Sequence, residues 1–170
     1  MLRYMAHCRW RATAMLGAAV ALVSSPSGYA DPTVDPVASP YPDGSLIRQL
    51  YQRVDADQFI VDGQPGIWFL TPTGVTCAIW YRGSVGCTGD IPGAPPGATH
   101  IAWKNGDKYV HYDWTAAIWF PGGHAIQTLQ PRSYVESEGT TCTTMADTST
   151  YCSRGEFRFY MTAGGTWLNP

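Results

Sequence analysis

GIWFLTPTGVTCAIWYRGSVGCTGDIPGAPPG, residues 66–97, decides the fold. Three runs rich in β-branched and aromatic residues, 67–71, 75–81 and 84–87, are bounded by glycine or proline, the mark of short strands. Cys77 and Cys87 bracket nine residues, with Arg82 at the midpoint. Gly83 stands where a three-residue hairpin loop takes a left-handed residue. The design returns at 139–155, where Cys142 and Cys152 also bracket nine residues around Asp147. The flanks match as well: Gly74-Val75-Thr76-Cys77 against Gly139-Thr140-Thr141-Cys142. Loop entropy does not choose among the three possible connectivities of four cysteines. The matched spacing favours local pairing, 77 with 87 and 142 with 152, each bond stapling a hairpin. No CxxC spacing is present, which argues against a zinc or redox role.

The N-terminus has a different character. Arg3, Arg9 and Arg11 precede a twelve-residue apolar run at 12–23, and small residues follow at Gly28 and Ala30. This is the pattern of a secretory signal with cleavage near Ala30–Asp31. The run falls well short of the ~20 residues that span a bilayer. Removal of residues 1–30 takes Cys8 with it and leaves four cysteines, an even set that suits an oxidising compartment. Eight basic and thirteen acidic residues then remain, a net charge of −5. An acidic chain without a basic cluster is a poor partner for nucleic acid or anionic lipid.

Residues 31–44 hold Pro32, Pro36, Pro40 and Pro42 and read as a flexible lead segment. The domain proper is expected over 45–170. It opens with the only helical pattern, Leu46, Ile47, Leu50, Tyr51 and Val54, capped by Asp43 or Ser45 and ending near 55–57. About three turns are marginal alone, so this helix must pack on the sheet.

The connector 89–97 carries three prolines and is excluded from a central strand. Next, 99–114 (THIAWKNGDKYVHYDW) reads as a hairpin turning at Asn105-Gly106, the preferred type I′ pair. That turn sets Ile101 opposite Val110, Trp103 opposite Lys108, and His100 opposite His111. Ile101, Trp103, Val110, Tyr112 and Trp114 then share the core face, and His100, His111 and Asp113 the other. Weaker strands are expected at 116–120, 124–129 and 132–136. Further strands follow at 140–144, 148–152 and 157–162, the last with Phe157, Phe159 and Met161 on one side.

The segments TPTGVTCAIWYRGSVGC, GDIPGAPPG, RSYVESEGTTC, YCSRGEFRF and GGTWL resemble a group of small exported mycobacterial proteins of uncharacterised function. More distantly, the TPTG-x-x-C…C element is similar to an SPSGN-x-x-C element of other actinobacterial secreted domains, with Thr73 in place of serine. The resemblance covers residues 66–168. It implies an exported, disulfide-containing domain and carries no catalytic motif.

Chemistry-bearing motifs are sparse. His100, His111 and Asp113, with His124 nearby, are the one polar constellation, suited to a strand-surface metal site or to a histidine base held by Asp113. The serine in Arg82-Gly83-Ser84-Val85-Gly86 lacks the spacing of a nucleophile elbow. H-E-x-x-H, P-loop and dinucleotide patterns are absent from the sequence. Six tryptophans follow the signal, of which about four are expected in the core. Trp80 and Tyr81 at the hairpin end, with Pro92, Pro95 and Pro96 in the connector, are the candidate binding surface.

The resulting expectation is a mainly β domain (an antiparallel sheet, small sandwich or barrel) with one N-terminal amphipathic helix and two disulfides. Its role is expected to be binding or structural, secreted or at the cell envelope, with a protein or an envelope glycan as partner. Neither cofactor nor metal is expected. The alternative is a small extracellular hydrolase or metal-binding protein using His100, His111 and Asp113.

Overall fold

The computed structural model describes residues 39–113 and 125–169. The sequence pattern becomes two antiparallel meanders of five strands each, one following the other along the chain. The first comprises β2 (Ile67–Leu70), β3 (Thr76–Trp80), β4 (Ser84–Thr88), β5 (His100–Trp103) and β6 (His111–Tyr112). The second comprises β7 (Ser133–Ser137), β8 (Thr140–Thr144), β9 (Thr150–Arg154), β10 (Phe157–Thr162) and β11 (Gly165–Asn169). In each, the second and third strands carry the cysteines at directly facing positions, Cys77 opposite Cys87 and Cys142 opposite Cys152. Both pairs are bonded, with Cα atoms 4.0 and 4.1 Å apart. Local pairing is thus what the chain adopts.

The two sheets face each other across one apolar core. Phe69, Cys77, Cys87 and Ile101 of the first meander and Val135, Cys142, Cys152 and Phe159 of the second lie in that core. These are the same positions in the two meanders, one residue per strand in register. The hairpins stack head to tail. At one end, Gly83 of the first turn accepts a 2.5 Å hydrogen bond from the buried Thr140 hydroxyl, and Arg154 donates to the Glu138 carbonyl. At the other, a crevice of about 40 Å³ is shared by Thr73, Val75 and Pro92 with Ser149, Met161 and Thr162.

Each meander also borrows an edge from the chain that precedes the other. A three-residue strand, β1 (Gln52–Val54), precedes the first meander but runs parallel to β7 of the second. Thr128 precedes the second meander but bridges in parallel to Leu70 of the first. Leu70 donates to the Gln127 carbonyl at 2.8 Å, and Leu129 donates to the Leu70 carbonyl at 2.9 Å. The pattern is that of an internal two-fold repeat with exchanged edges, and it interlocks the halves through the backbone.

The helix is shorter than its periodicity implies. α1 (Gly44–Leu50) has seven residues, with Asp43 as N-cap accepting from the Ser45 amide at 2.7 Å. It stops at Tyr51 because the following residues are drawn into β1, where the Gln52 amide bonds the Arg132 carbonyl at 2.9 Å. Val54 is therefore a strand residue, and Leu46 and Leu50 are exposed. Only Ile47 is buried, against Tyr134 and Tyr151. The helix covers the outer face of the second sheet, not of the strands that immediately follow it.

Around Asn105-Gly106 the register differs from expectation by two residues. Ile101 faces Tyr112 and Ala102 faces His111. Asp107 is the reason: its amide bonds the Lys104 carbonyl at 2.8 Å and its carboxylate takes the Lys104 amide at 2.9 Å. Its carbonyl also accepts from the Trp103 indole at 3.1 Å. These bonds close a turn within a longer loop, in which only Gly106 has positive φ, at 104°. A slip of two preserves the faces, because side chains alternate with period two. The strand candidate at 116–120, most of that at 124–129, and the residues Trp114, Trp119 and His124 lie outside the described residues.

Candidate functional site

The polar face of β5 and β6 is a structural clip. The Asp113 carboxylate accepts from the amides of Thr99 at 2.8 Å and His100 at 3.0 Å. Its Oδ1 lies 3.4 Å from His100 Nδ1. These bonds, the Thr99 amide first, hold the Asp113 carboxyl below the usual carboxylate range. The His100 Nδ1 is also 2.8 Å from the Thr99 hydroxyl. His111 faces Ala102 and sets its ring edge-on to Tyr109, with centroids 6.1 Å apart. Among the described residues no group of three or more His, Cys, Asp or Glu side chains gathers to hold a metal ion. The register that places His100 beside Asp113 separates it from direct pairing with His111.

The two buried serines at the hairpin turns are likewise occupied. Ser84 Oγ donates to the Tyr81 carbonyl at 2.9 Å and accepts from the Asn105 amide at 3.1 Å. Ser149 Oγ donates to Asp147 Oδ1 at 2.5 Å and lies 2.9 Å from the Tyr160 hydroxyl. Both hydroxyls hold turns.

The aromatic and proline candidates divide by role. Trp80 is half-buried on the outer face of the first sheet, beside Trp68, Ala78 and Ala125. Tyr81 is 68% exposed, with the Arg82 guanidinium 5.0 Å from its ring centroid. Pro92 is half-buried, and its carbonyl accepts from the Thr166 hydroxyl of β11 at 2.7 Å. A Cβ at Gly93 would lie 2.9 Å from the Gly165 Cα, so the connector passes close over the start of β11. Through these contacts the proline connector covers part of an edge strand, a common defence against edge-to-edge pairing. Pro95 and Pro96 are exposed. Of the described tryptophans, Trp68 and Trp103 are buried, Trp80 is half-buried and Trp167 is 42% exposed.

A different site, absent from the motif reading, sits where the exchanged edges meet. A cleft of about 380 Å³ is lined by Gln52 and Val54 of β1, by Gln58 and Phe59 of the following 3₁₀ turn (Ala56–Phe59), and by Gln127, Thr128, Gln130 and Ser133. Four of the six glutamines in the whole sequence converge there. All four are exposed, whereas Phe59 is buried and Val54 half-buried, so amides ring an apolar floor. Among the described residues only Gln130 has a side-chain hydrogen bond, 3.3 Å to the Thr128 carbonyl. The side-chain amides of Gln52, Gln58 and Gln127 make none. No charged residue lines the cleft.

The neighbouring depressions contrast with it. They are lined by Arg48, Arg53 and Glu136, which satisfy one another: Arg48 Nε lies 3.2 Å and Arg53 Nη2 3.6 Å from the Glu136 carboxylate. Sequence reasoning missed the amide cleft because its two halves lie some seventy residues apart and glutamine is an unremarkable surface residue. The only signal in the sequence was the clustering of Gln52 and Gln58, and of Gln127 and Gln130, just ahead of each meander.

Among the described residues no helix is long and apolar enough to cross a membrane, and the two disulfides are compatible with an extracellular protein. No protein-family model, no curated protein and no solved structure matches the chain.

Proposed function

We propose that this protein is an exported, non-catalytic binding module that works at or outside the cell envelope, with the glutamine cleft as its ligand site. The observation that carries this reading is the set of unpaired amides around an apolar floor. Amides left without protein partners are donors and acceptors available to a ligand, and a cleft of this size falls in the small-ligand range of about 300–1,000 Å³. The polar groups that catalysis would need are engaged in holding turns and strand ends instead. Two buried disulfides and the signal-like N-terminus support export, and the resemblance to exported actinobacterial proteins fits the same compartment.

Expression in an actinobacterial host tests the reading. The protein is expected in the envelope or medium, beginning at Asp31, with no free thiol. Exported protein should bind isolated envelope material, and the double variant Gln58→Ala/Gln127→Ala should bind about tenfold less, the equivalent of one lost hydrogen-bonded contact, at an unchanged thermal midpoint. Recovery in the cytoplasm with reduced thiols, or full binding by the variant, defeats the proposal.

A further inference from the structure

We infer that the ligand of the glutamine cleft is an uncharged saccharide, a mono- or disaccharide unit of a neutral glycan; this rests on the cleft being a ligand site, as proposed above. Charge is the first discriminator. Burying an ionised group without a counter-charge carries a large desolvation penalty, and none of the residues that line the cleft is charged. A phosphate, a carboxylate or an ammonium group would find no partner.

Hydrogen-bond chemistry is the second. Each glutamine presents a carbonyl acceptor and an NH₂ donor side by side, and a sugar hydroxyl is donor and acceptor at once. Gln52 and Gln58 on one side and Gln127 on the other thus match hydroxyls spaced around a ring. The Thr128 and Ser133 hydroxyls extend the set. The half-buried Val54 and the buried Phe59 offer apolar contact to ring C–H groups without an open aromatic face. That geometry disfavours a nucleobase, which depends on a stacking platform.

A peptide is the nearest competitor, since amides also recognise backbone. Strand addition requires an edge long enough for repeated main-chain pairing. β1 is three residues long and runs into the 3₁₀ turn, and the facing edge at Thr128 is a single bridge ahead of Pro131. The cleft therefore fits a compact polyhydroxylated ring better than an extended chain.

The test uses the exported protein on an array of neutral and anionic glycans together with uncharged peptides, followed by titration of any hit. Neutral glycans should bind and anionic ones should not. Gln58→Ala and Gln127→Ala should each weaken binding about tenfold, with Gln127→Glu at least as damaging at neutral pH. Arg48→Ala, in the adjoining charged depression, should leave affinity unchanged. If no neutral glycan binds while envelope binding still depends on Gln58 and Gln127, the saccharide assignment is overturned and the binding reading stands. A peptide or anionic hit with that same glutamine dependence also overturns it. Loss of all glutamine-dependent binding removes both readings.

Discussion

The two meanders place the same backbone under opposite side-chain regimes. In the first, the inward row nearest the hairpin turn is Ile67, Ile79, Val85 and Trp103; its counterpart in the second is Ser133, Thr144, Thr150 and Met161. Outward the contrast reverses. Trp68, Ala78, Gly86, Ala102 and His111 cross the first sheet, while Tyr134, Thr143, Tyr151, Tyr160 and Trp167 cross the second. At Gly86 a Cβ would meet the Ala102 Cβ at 2.6 Å, so the small row is sterically required. In the second sheet Tyr151 meets Tyr160 edge-on at 6.1 Å, and Tyr160 stacks on Trp167 at 5.9 Å. One half concentrates its bulk inside the sandwich and the other outside, under α1. Backbone topology and cysteine positions are thus shared by the halves, while the packing that stabilises each is different.

The strongest way to break this comparison is to remove the feature that the halves share most closely. Each disulfide closes a loop of the same length in the same place, worth about 3 kcal/mol on the chain-entropy account. Cys77→Ala/Cys87→Ala and Cys142→Ala/Cys152→Ala should therefore lower unfolding stability by similar amounts, each in a single transition by denaturant titration. The quadruple variant should lose about 6 kcal/mol, most of what a domain of this size has. Two separate transitions, or one pair mattering several times more than the other, would show that the halves are not equivalent parts of one cooperative unit.

A second experiment sharpens the contrast at one position. Ile79 and Thr144 are topological equivalents, both fully buried on the inward face. The Thr144 hydroxyl has no hydrogen-bond partner among the described residues, and an unpaired buried hydroxyl is destabilising. Ile79→Thr should cost about 2 kcal/mol. Thr144→Val, which exchanges the hydroxyl for a methyl group of the same shape, should raise stability by up to about 1 kcal/mol. Opposite signs at equivalent sites are the expected outcome. A loss of stability in Thr144→Val would mean that the second half depends on its inward hydroxyls.

How far the sequence could show this follows from what is local. Cys77 with Cys87 and Cys142 with Cys152 sit symmetrically about short turns, so their equal spacing translated directly into strand register. The alternation of Phe157, Phe159 and Met161 likewise gave the inward face of β10. The exchange of β1 and Thr128 between the halves leaves no such trace, because it joins segments about sixty to eighty residues apart through backbone bonds alone. The turn at Asn105-Gly106 was misread for a related reason: Asp107, through its side chain and backbone, outcompetes the type I′ preference of the dipeptide. The glutamine cleft inherits both difficulties, since it exists only once the exchanged edges meet. The cysteines and apolar periods therefore made the framework legible, and the site was hidden in the topology that they do not encode.

The smallest effect concerns the two hairpin turns, where Arg82 of the first corresponds to Asp147 of the second. Arg82 reaches back over Tyr81, whereas Asp147 accepts from the Ser149 hydroxyl at 2.5 Å and from its amide at 3.1 Å. The Ser149 hydroxyl is the main cause holding the Asp147 carboxyl below its ordinary value. A carboxyl that is more acidic when folded contributes fully above the unfolded value near about 3.9. The contribution fades as pH falls through the lowered folded value. Asp147→Asn keeps an acceptor oxygen at the turn but removes the charge. Because the carboxylate is largely exposed and screened, its thermal midpoint at pH 7 should drop by only roughly 1–3 °C. Scanned from pH 7 down to about pH 2, wild type and variant should converge as the wild-type carboxyl takes up its proton. Arg82→Ala, tested in parallel, should shift the midpoint by an amount that does not change over that range. If the Asp147→Asn difference persisted undiminished in acid, shape and not charge would be what distinguishes the second turn from the first.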